Sequence, residues 1–172
     1  MGVAAVAVIA AWGCKDKDDA ASDGAGAMAT ISATGEVAVN GSARFVKDGD
    51  KVKLTVALTG CPEGLHGFHL HENGSCGDAG NAAGGHWNPE NMQHGELGRT
   101  DQHHKGDTGN ISCAADGTAN FEFNTDVWTI GGGGKNDIVG KAVILHAQPD
   151  DFGQPTGNAG GRIACGVIAA GK

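Results

Sequence analysis

The sequence predicts an all-β fold, an antiparallel sandwich or barrel interrupted by two long loops. Three observations predict it. Short runs alternate apolar and polar residues with a period of two, as half-buried strands do. Turn-forming residues punctuate these runs, with 31 glycines among 172 residues to supply the backbone conformations that tight turns need. No ten-residue window combines a helical apolar period with end caps.

The N-terminal residues read as a processing segment. Val3 to Ala11 are nine apolar residues in a row, too few to span a bilayer as a helix, and small residues lead into Trp12-Gly13-Cys14. We take residues 1–13 as a secretory signal segment. A cysteine at that junction resembles a bacterial lipoprotein processing site, which would make Cys14 the lipidated first residue and tether the chain to a membrane. A plain signal peptide with an incidental cysteine is the other reading. Residues 14–29, charged and then Ala/Gly/Ser-rich, suit a flexible tether, so the folded domain is expected over 30–172. The expected location is outside the cytoplasm, in the periplasm or cell envelope.

Strands are expected at Glu36–Val39, Ala43–Val46, Val52–Leu58, Gly67–His71, Thr118–Phe123 and Lys141–Leu145. Asp48-Gly49 and Asp116-Gly117 are hairpin signals between such runs. Residues 72–109 and 147–162 lack strand character. Ordering loops of that length needs another source of stability, and loops of this kind usually carry function.

The formal net charge is −8 and no basic cluster occurs. This excludes nucleic acid or an anionic membrane surface as the main partner. Apart from Cys14 there are four cysteines, Cys61, Cys76, Cys113 and Cys165. In an exported chain they are expected to form two disulfides, and three pairings are open. Zinc binding by cysteine is disfavoured because no CxxC spacing exists.

The histidines carry the chemistry. His69 and His71 are two apart in a strand, so both rings leave the same face, while Phe68 and Leu70 point to an apolar interior. His86, His94 and His104, with Asp107, offer three imidazoles and a carboxylate from one long loop, the donor set of a closed four-coordinate zinc site. His146 follows a strand and would complete a copper site with His69 and His71, since neutral imidazole suits both metals. One histidine would then serve both ions, because imidazolate binds through two nitrogens.

Four segments, His66-Gly-Phe-His-Leu-His-Glu72, Gly84-Gly-His-Trp-Asn-Pro89, His104-Lys-Gly-Asp107 and Gly157-Asn-Ala-Gly-Gly-Arg-Ile-Ala-Cys-Gly166, resemble the signature segments of copper/zinc superoxide dismutases, in order and at compatible spacings over residues 30 to 170. The departures in Gly153-Gln154-Pro155, where a longer charged stretch is missing, resemble bacterial members. The resemblance implies a Greek-key sandwich or flattened barrel with long metal-binding and electrostatic loops. It implies copper bound by His69, His71, His86 and His146, and zinc bound by His86, His94, His104 and Asp107, with His86 as the bridge.

His66 is similar to a non-ligand histidine that ties sheet to loop, and His103 stands outside the pattern as a surface residue. Asp150 resembles the outer carboxylate that hydrogen-bonds a copper ligand and a zinc ligand together, which fixes imidazole orientation. Cys76 and Cys165 match the family's disulfide, which leaves Cys61 and Cys113 either as a second pair or as free thiols.

The implied activity is dismutation of superoxide to dioxygen and hydrogen peroxide, with copper alternating between two oxidation states and His86 supplying a proton. Arg162 matches the anion-guiding arginine, and Thr156 the residue that narrows the channel. Superoxide is an anion and the chain carries −8, so a local positive funnel must override the net repulsion; this enzyme family is the standing illustration of such steering. Members are commonly homodimers. The alternative is a catalytically silent relative that binds or carries copper, although such a protein need not keep the bridge, Arg162 and a complete zinc set together.

Overall fold

The computed structural model describes Met1 and residues 26–171; the expected signal segment beyond Met1, Cys14 and the tether up to residue 25 lie outside the described residues. Among the described residues, nine antiparallel strands form one sheet. They are β1 (Gly26–Ala33), β2 (Asn40–Asp48), β3 (Lys51–Thr59), β4 (Gly64–His71), β5 (Asn110–Cys113), β6 (Ala119–Thr125), β7 (Ala142–His146), β8 (Arg162–Val167) and β9 (Ala169–Ala170). The order is β5-β4-β7-β8-β1-β2-β3-β6, with β9 on β1, and β5 lies near β6. The sheet therefore curls into a nearly closed Greek-key barrel. Among the described residues the only helical piece is the 3₁₀ turn Asn81–Ala83.

Period-two burial explains the first half of the barrel. Ala27, Ala29 and Ile31 of β1, Ala43 and Phe45 of β2, and Val52, Leu54, Val56 and Leu58 of β3 all point inward. Phe45 meets the indole of Trp128 edge-on, with ring centroids 6.0 Å apart, a favoured aromatic geometry. Asp48 ends β2, and Gly49, at φ 59°, makes the turn into β3, as expected.

The second half differs because its strands are covered on both faces. Phe68 and Leu70 of β4, with Val143 and Leu145 of β7, join the main core. On the opposite face His69 pairs with Ile144 and His71 with Ala142, and Ala142 and Ile144 pack with Ala83, Cys76 and Cys165 under the loops. The two histidines are thus held on a rigid strand beneath a roof of loop.

Three expectations are corrected. Residues 26–29, assigned to the tether, begin β1, and they pair with Val46 to Ala43 of β2. Glu36–Val39 is not a strand but a bend between β1 and β2; Val39 is buried, so its alternation reflects one anchored side chain. Asp116-Gly117 does turn the chain, with Gly117 N–H on Ala114 O, but no hairpin results. β5 goes on to pair with β4, and β6 with β3.

Among the described residues there are two disulfides, Cys76–Cys165 across 89 residues and Cys61–Cys113 across 52. By the chain-entropy account, each loop closure contributes about 4 kcal/mol. The first ties residues 72–86 to β8, and the second ties the β3–β4 connection to the end of β5.

Candidate metal centre

Six histidines and one aspartate converge between β4, the end of β7 and the two long loops. The ligand-capable atoms of His69, His71, His86 and His146 lie within 4.8 Å of one another, and so do those of His86, His94, His104 and Asp107. All seven residues are buried. His86 belongs to both groups, with its ring centroid 4.2 Å from that of His69 and 5.5 Å from that of His104.

His69, His71, His94 and His146 are each held by one nitrogen, which frees the other for the centre. His71 Nδ1 donates to Gly84 O at 3.0 Å, and His146 Nδ1 donates to Gly160 O at 3.2 Å. Their Nε2 atoms then face each other at 3.3 Å. His69 Nε2 sits 2.8 Å from Asp150 Oδ2, and His94 Nε2 sits 3.0 Å from Asp150 Oδ1. One carboxylate thereby grips a ring from each group, which fixes the orientation of both. Asp107 Oδ1 lies 2.8 Å from His86 Nδ1 and 3.1 Å from His104 Nδ1. Its Oδ2 accepts the backbone N–H groups of Gly95 and His104.

Two nitrogens decide what the centre is built to hold. His69 Nδ1 and His94 Nδ1 are fully buried without a hydrogen-bond partner. His94 Nδ1 is only 2.9 Å from Asp107 Oδ2, but the two do not meet as hydrogen-bond donor and acceptor. Buried polar atoms normally find partners, and a metal ion at each group would satisfy these two. The donor set agrees, with four imidazoles on one side and three imidazoles with a carboxylate on the other.

The electrostatics separate the two sides. Burial pushes the His86 imidazole down to about 4, against the opposing hydrogen bond from Asp107. Burial and the neighbouring His69 push His146 down to about 3, and burial with His86 lowers His71 as well. These rings stay neutral, as metal ligands must. Burial also opposes charge on His94, but Asp107 and Asp150 outweigh it and raise that ring to about 9. Both carboxylates are held well below the ordinary range: burial opposes their charge, but His104, His86 and His94 outweigh it at Asp107, and His69 and His94 outweigh it at Asp150. The Asp107 side therefore favours positive charge.

A pH dependence follows for the metal-free protein. His86, His146 and His71 are depressed when folded, so stability should fall as pH drops from about 6.5 through 4 and 3. His94 is raised, so its contribution is complete below about 6.5 and is lost as pH rises through 9. Melting temperature against pH should give a dome that falls off on both sides. A flat profile from pH 3 to 9 would contradict these environments.

Beside His71, His86 and His146 a pocket of about 190 Å³ opens to solvent past Thr156, Gly160 and Arg162. Arg162 Nη1 donates to Gly80 O at 2.6 Å and Nη2 to Gly84 O at 2.5 Å. The guanidinium is thus locked to the loop that Cys76–Cys165 anchors.

The family model described as copper/zinc superoxide dismutase (SODC) matches residues 39–168. This chain belongs to the copper/zinc superoxide dismutase family. Among similar proteins, a Cu-Zn superoxide dismutase of Onchocerca volvulus is 40% identical over 146 residues, which are 77% of this chain and 90% of that protein. Cu-Zn superoxide dismutase 2 of Brassica juncea is 43% identical over 138 residues, covering 76% and 89% of the two chains. An extracellular Cu-Zn superoxide dismutase of Brugia pahangi is 38% identical over 142 residues, covering 76% and 69%. A crystal structure of the clock protein EA4 superposes with a TM-score of 0.76 at 35% identity, covering 84% of this chain and 93% of that one. The dismutase uses copper and zinc, and its two histidine groups fit them.

Several parts of this dismutase centre lay beyond the sequence reading. Gln154 exchanges both amide hydrogen bonds with the backbone of His94, at 3.1 and 2.9 Å. Asn110 does the same for Asp150, at 2.7 and 2.9 Å. Phe152, at φ 59°, stacks its ring over His94. Gly106 lies so close to β4 that a Cβ there would stand 2.1 Å from Leu70 O. His103 stands outside both groups, half-buried and not fully exposed, with Nδ1 donating to His104 O at 3.1 Å.

Proposed function

We propose that this dismutase holds copper through His69, His71, His86 and His146, and zinc through His86, His94, His104 and Asp107, with the His86 imidazolate common to both. The observation that carries the reading is membership of the His86 ring in both ligand groups. When bound, copper supplies the electron shuttle, passing between Cu(II) and Cu(I) as one superoxide is oxidised to dioxygen and a second is reduced to hydrogen peroxide.

The chain's own residues do the rest. Arg162 holds the superoxide anion at the mouth, and the carbonyls of Gly80 and Gly84 fix the guanidinium so that little reorganisation is needed. Thr156 and Gly160 line the pocket beside Arg162, and its volume of about 190 Å³ accommodates a diatomic anion and water. Peroxide needs two protons. With Nδ1 turned to the Asp107 side, His86 Nε2 faces the pocket; it would carry one of these protons whenever it is not holding copper, and solvent water entering the pocket would supply the other. Asp150 keeps the rings of His69 and His94 from turning while this happens.

The two disulfides support an oxidising location for the mature protein. Export through residues 1–13 and lipid attachment at Cys14 complete the proposal for this enzyme, and mass spectrometry of the native protein tests both.

Purified protein should contain one copper and one zinc per chain. Chelation should abolish dismutation, and copper added back in the presence of zinc should restore it; zinc alone should not. Copper binding without turnover would favour a silent copper carrier. Arg162→Ala should lower the second-order rate constant by about tenfold or more, within the range expected for local electrostatic steering, and should weaken inhibition by azide. An unchanged rate and unchanged azide inhibition would remove Arg162 from the mechanism.

A further inference from the structure

The second disulfide leads to the copper side through an unbroken chain of contacts. Cys61 and Cys113 are both buried, and they flank the short connection Cys61-Pro62-Glu63 that delivers the chain into β4. Pro62 itself is exposed, so the neighbouring disulfide and the N–H of Cys61 on Gly117 O are what hold it. The carbonyl of Pro62 lies 2.9 Å from His66 Nε2, and the other ring nitrogen of His66 lies 2.8 Å from the carbonyl of His146. His66 is buried and its ring lies between these two carbonyls; a carbonyl only accepts, so the bridge is made by the ring with a hydrogen on each nitrogen. At the far end of this strut the β7–β8 ladder shifts register between Leu145 and His146, the kind of irregularity that re-aims a side chain. The His66 contact on the His146 carbonyl adds there to the backbone bonds that Ala147 and Gln148 make with Gly161 and Ala159.

We propose that the Cys61–Cys113 disulfide is a positioning element for the copper side, acting through Pro62 O and the His66 ring on the main chain of His146. The disulfide fixes the outer end of the strut, His66 transmits that constraint, and His146 Nε2 is thereby kept opposite His71 Nε2. Cys76–Cys165 immobilises the loop that holds Arg162, so the two bridges serve different parts of one site. The proposal rests on the reading of His146 as a copper ligand.

The test is the double variant Cys61→Ser/Cys113→Ser in the full chain, which leaves Cys76–Cys165 intact. Copper affinity is measured by competition with a chelator, alongside the Cu(II) electron paramagnetic resonance spectrum and zinc affinity. Loss of an outer orienting contact typically weakens metal binding 10–100-fold, so copper affinity should fall about tenfold with altered hyperfine coupling, while zinc affinity changes less than about twofold. His66→Ala should reproduce the copper effect, and combining it with the double variant should add little, because the two act through one strut.

A folded double variant with a lower melting temperature but unchanged copper affinity and spectrum would overturn the proposal, as would fully additive losses with His66→Ala. Should the double variant not fold, Pro62→Gly loosens the same carbonyl with both disulfides in place. It should shift copper affinity in the same direction, and no shift would overturn the proposal. His146→Ala is measured in parallel. If it leaves copper affinity intact, the ligand assignment has failed and not the strut.

Discussion

His146→Ala should reduce dismutation to background while the protein remains folded and keeps its zinc. The ring is 6% exposed, and its Nε2 faces His71 Nε2 at 3.3 Å. No neighbouring side chain can replace it, because the other three rings of its group are already committed. Removing one of four ligands should weaken copper binding by at least about 100-fold, judged against the 10–100-fold typical of losing only an outer contact. His103→Ala is the matched control and should retain most activity, since His103 belongs to neither group. Metal content and rate measured on both variants check this; equal losses would mean that the ligand set is misassigned.

Gly157→Ala should be nearly as damaging although it removes no ligand. Gly157 adopts φ 74°, and a Cβ there would stand 1.8 Å from Asp150 Oδ1 and 2.7 Å from His94 Nε2. Alanine meets a backbone cost of about 1–2 kcal/mol in this left-handed region, and the added methyl must also displace Asp150. Asp150 cannot move without releasing His69 and His94 together. Zinc affinity should fall by about 10–100-fold, and the metal-free protein should unfold several degrees lower. Gly131→Ala separates the two causes. Its φ is 75° but nothing lies within 4 Å of the added Cβ, so it should lose only the backbone contribution and no metal affinity.

The central strand and the ligand-bearing motifs were legible in the sequence because their signals are local. Alternation in Phe68-His69-Leu70-His71 assigns two faces without knowledge of the rest, and the spacing of His104 and Asp107 suggests a shared ion. β1 was illegible at its start because Ala27 and Ala29 bury fully yet carry little hydrophobic contrast against Gly, Ser and Thr. Glu36–Val39 carried the contrast without the strand. The supports from Asn110, Gln154 and Gly157 were also hidden, since each depends on how two loops far apart in sequence meet. The four cysteines allow three pairings by count alone; the family resemblance matches Cys76 with Cys165, and the fold adds the bridge between Cys61 and Cys113. Chemistry encoded at short range could be read directly, whereas orientation imposed across the barrel could not.

Anomalous diffraction from crystals of the copper- and zinc-loaded enzyme, recorded on both sides of each absorption edge, tests the shared-histidine centre most directly. The account predicts a copper peak bonded to His86 Nε2 together with His69 Nδ1, His71 Nε2 and His146 Nε2. It predicts a separate zinc peak about 2.0–2.1 Å from His86 Nδ1, shared with His94, His104 and Asp107. Two metals that have no nitrogen heterocycle in common, or zinc bound away from residue 86, would contradict it.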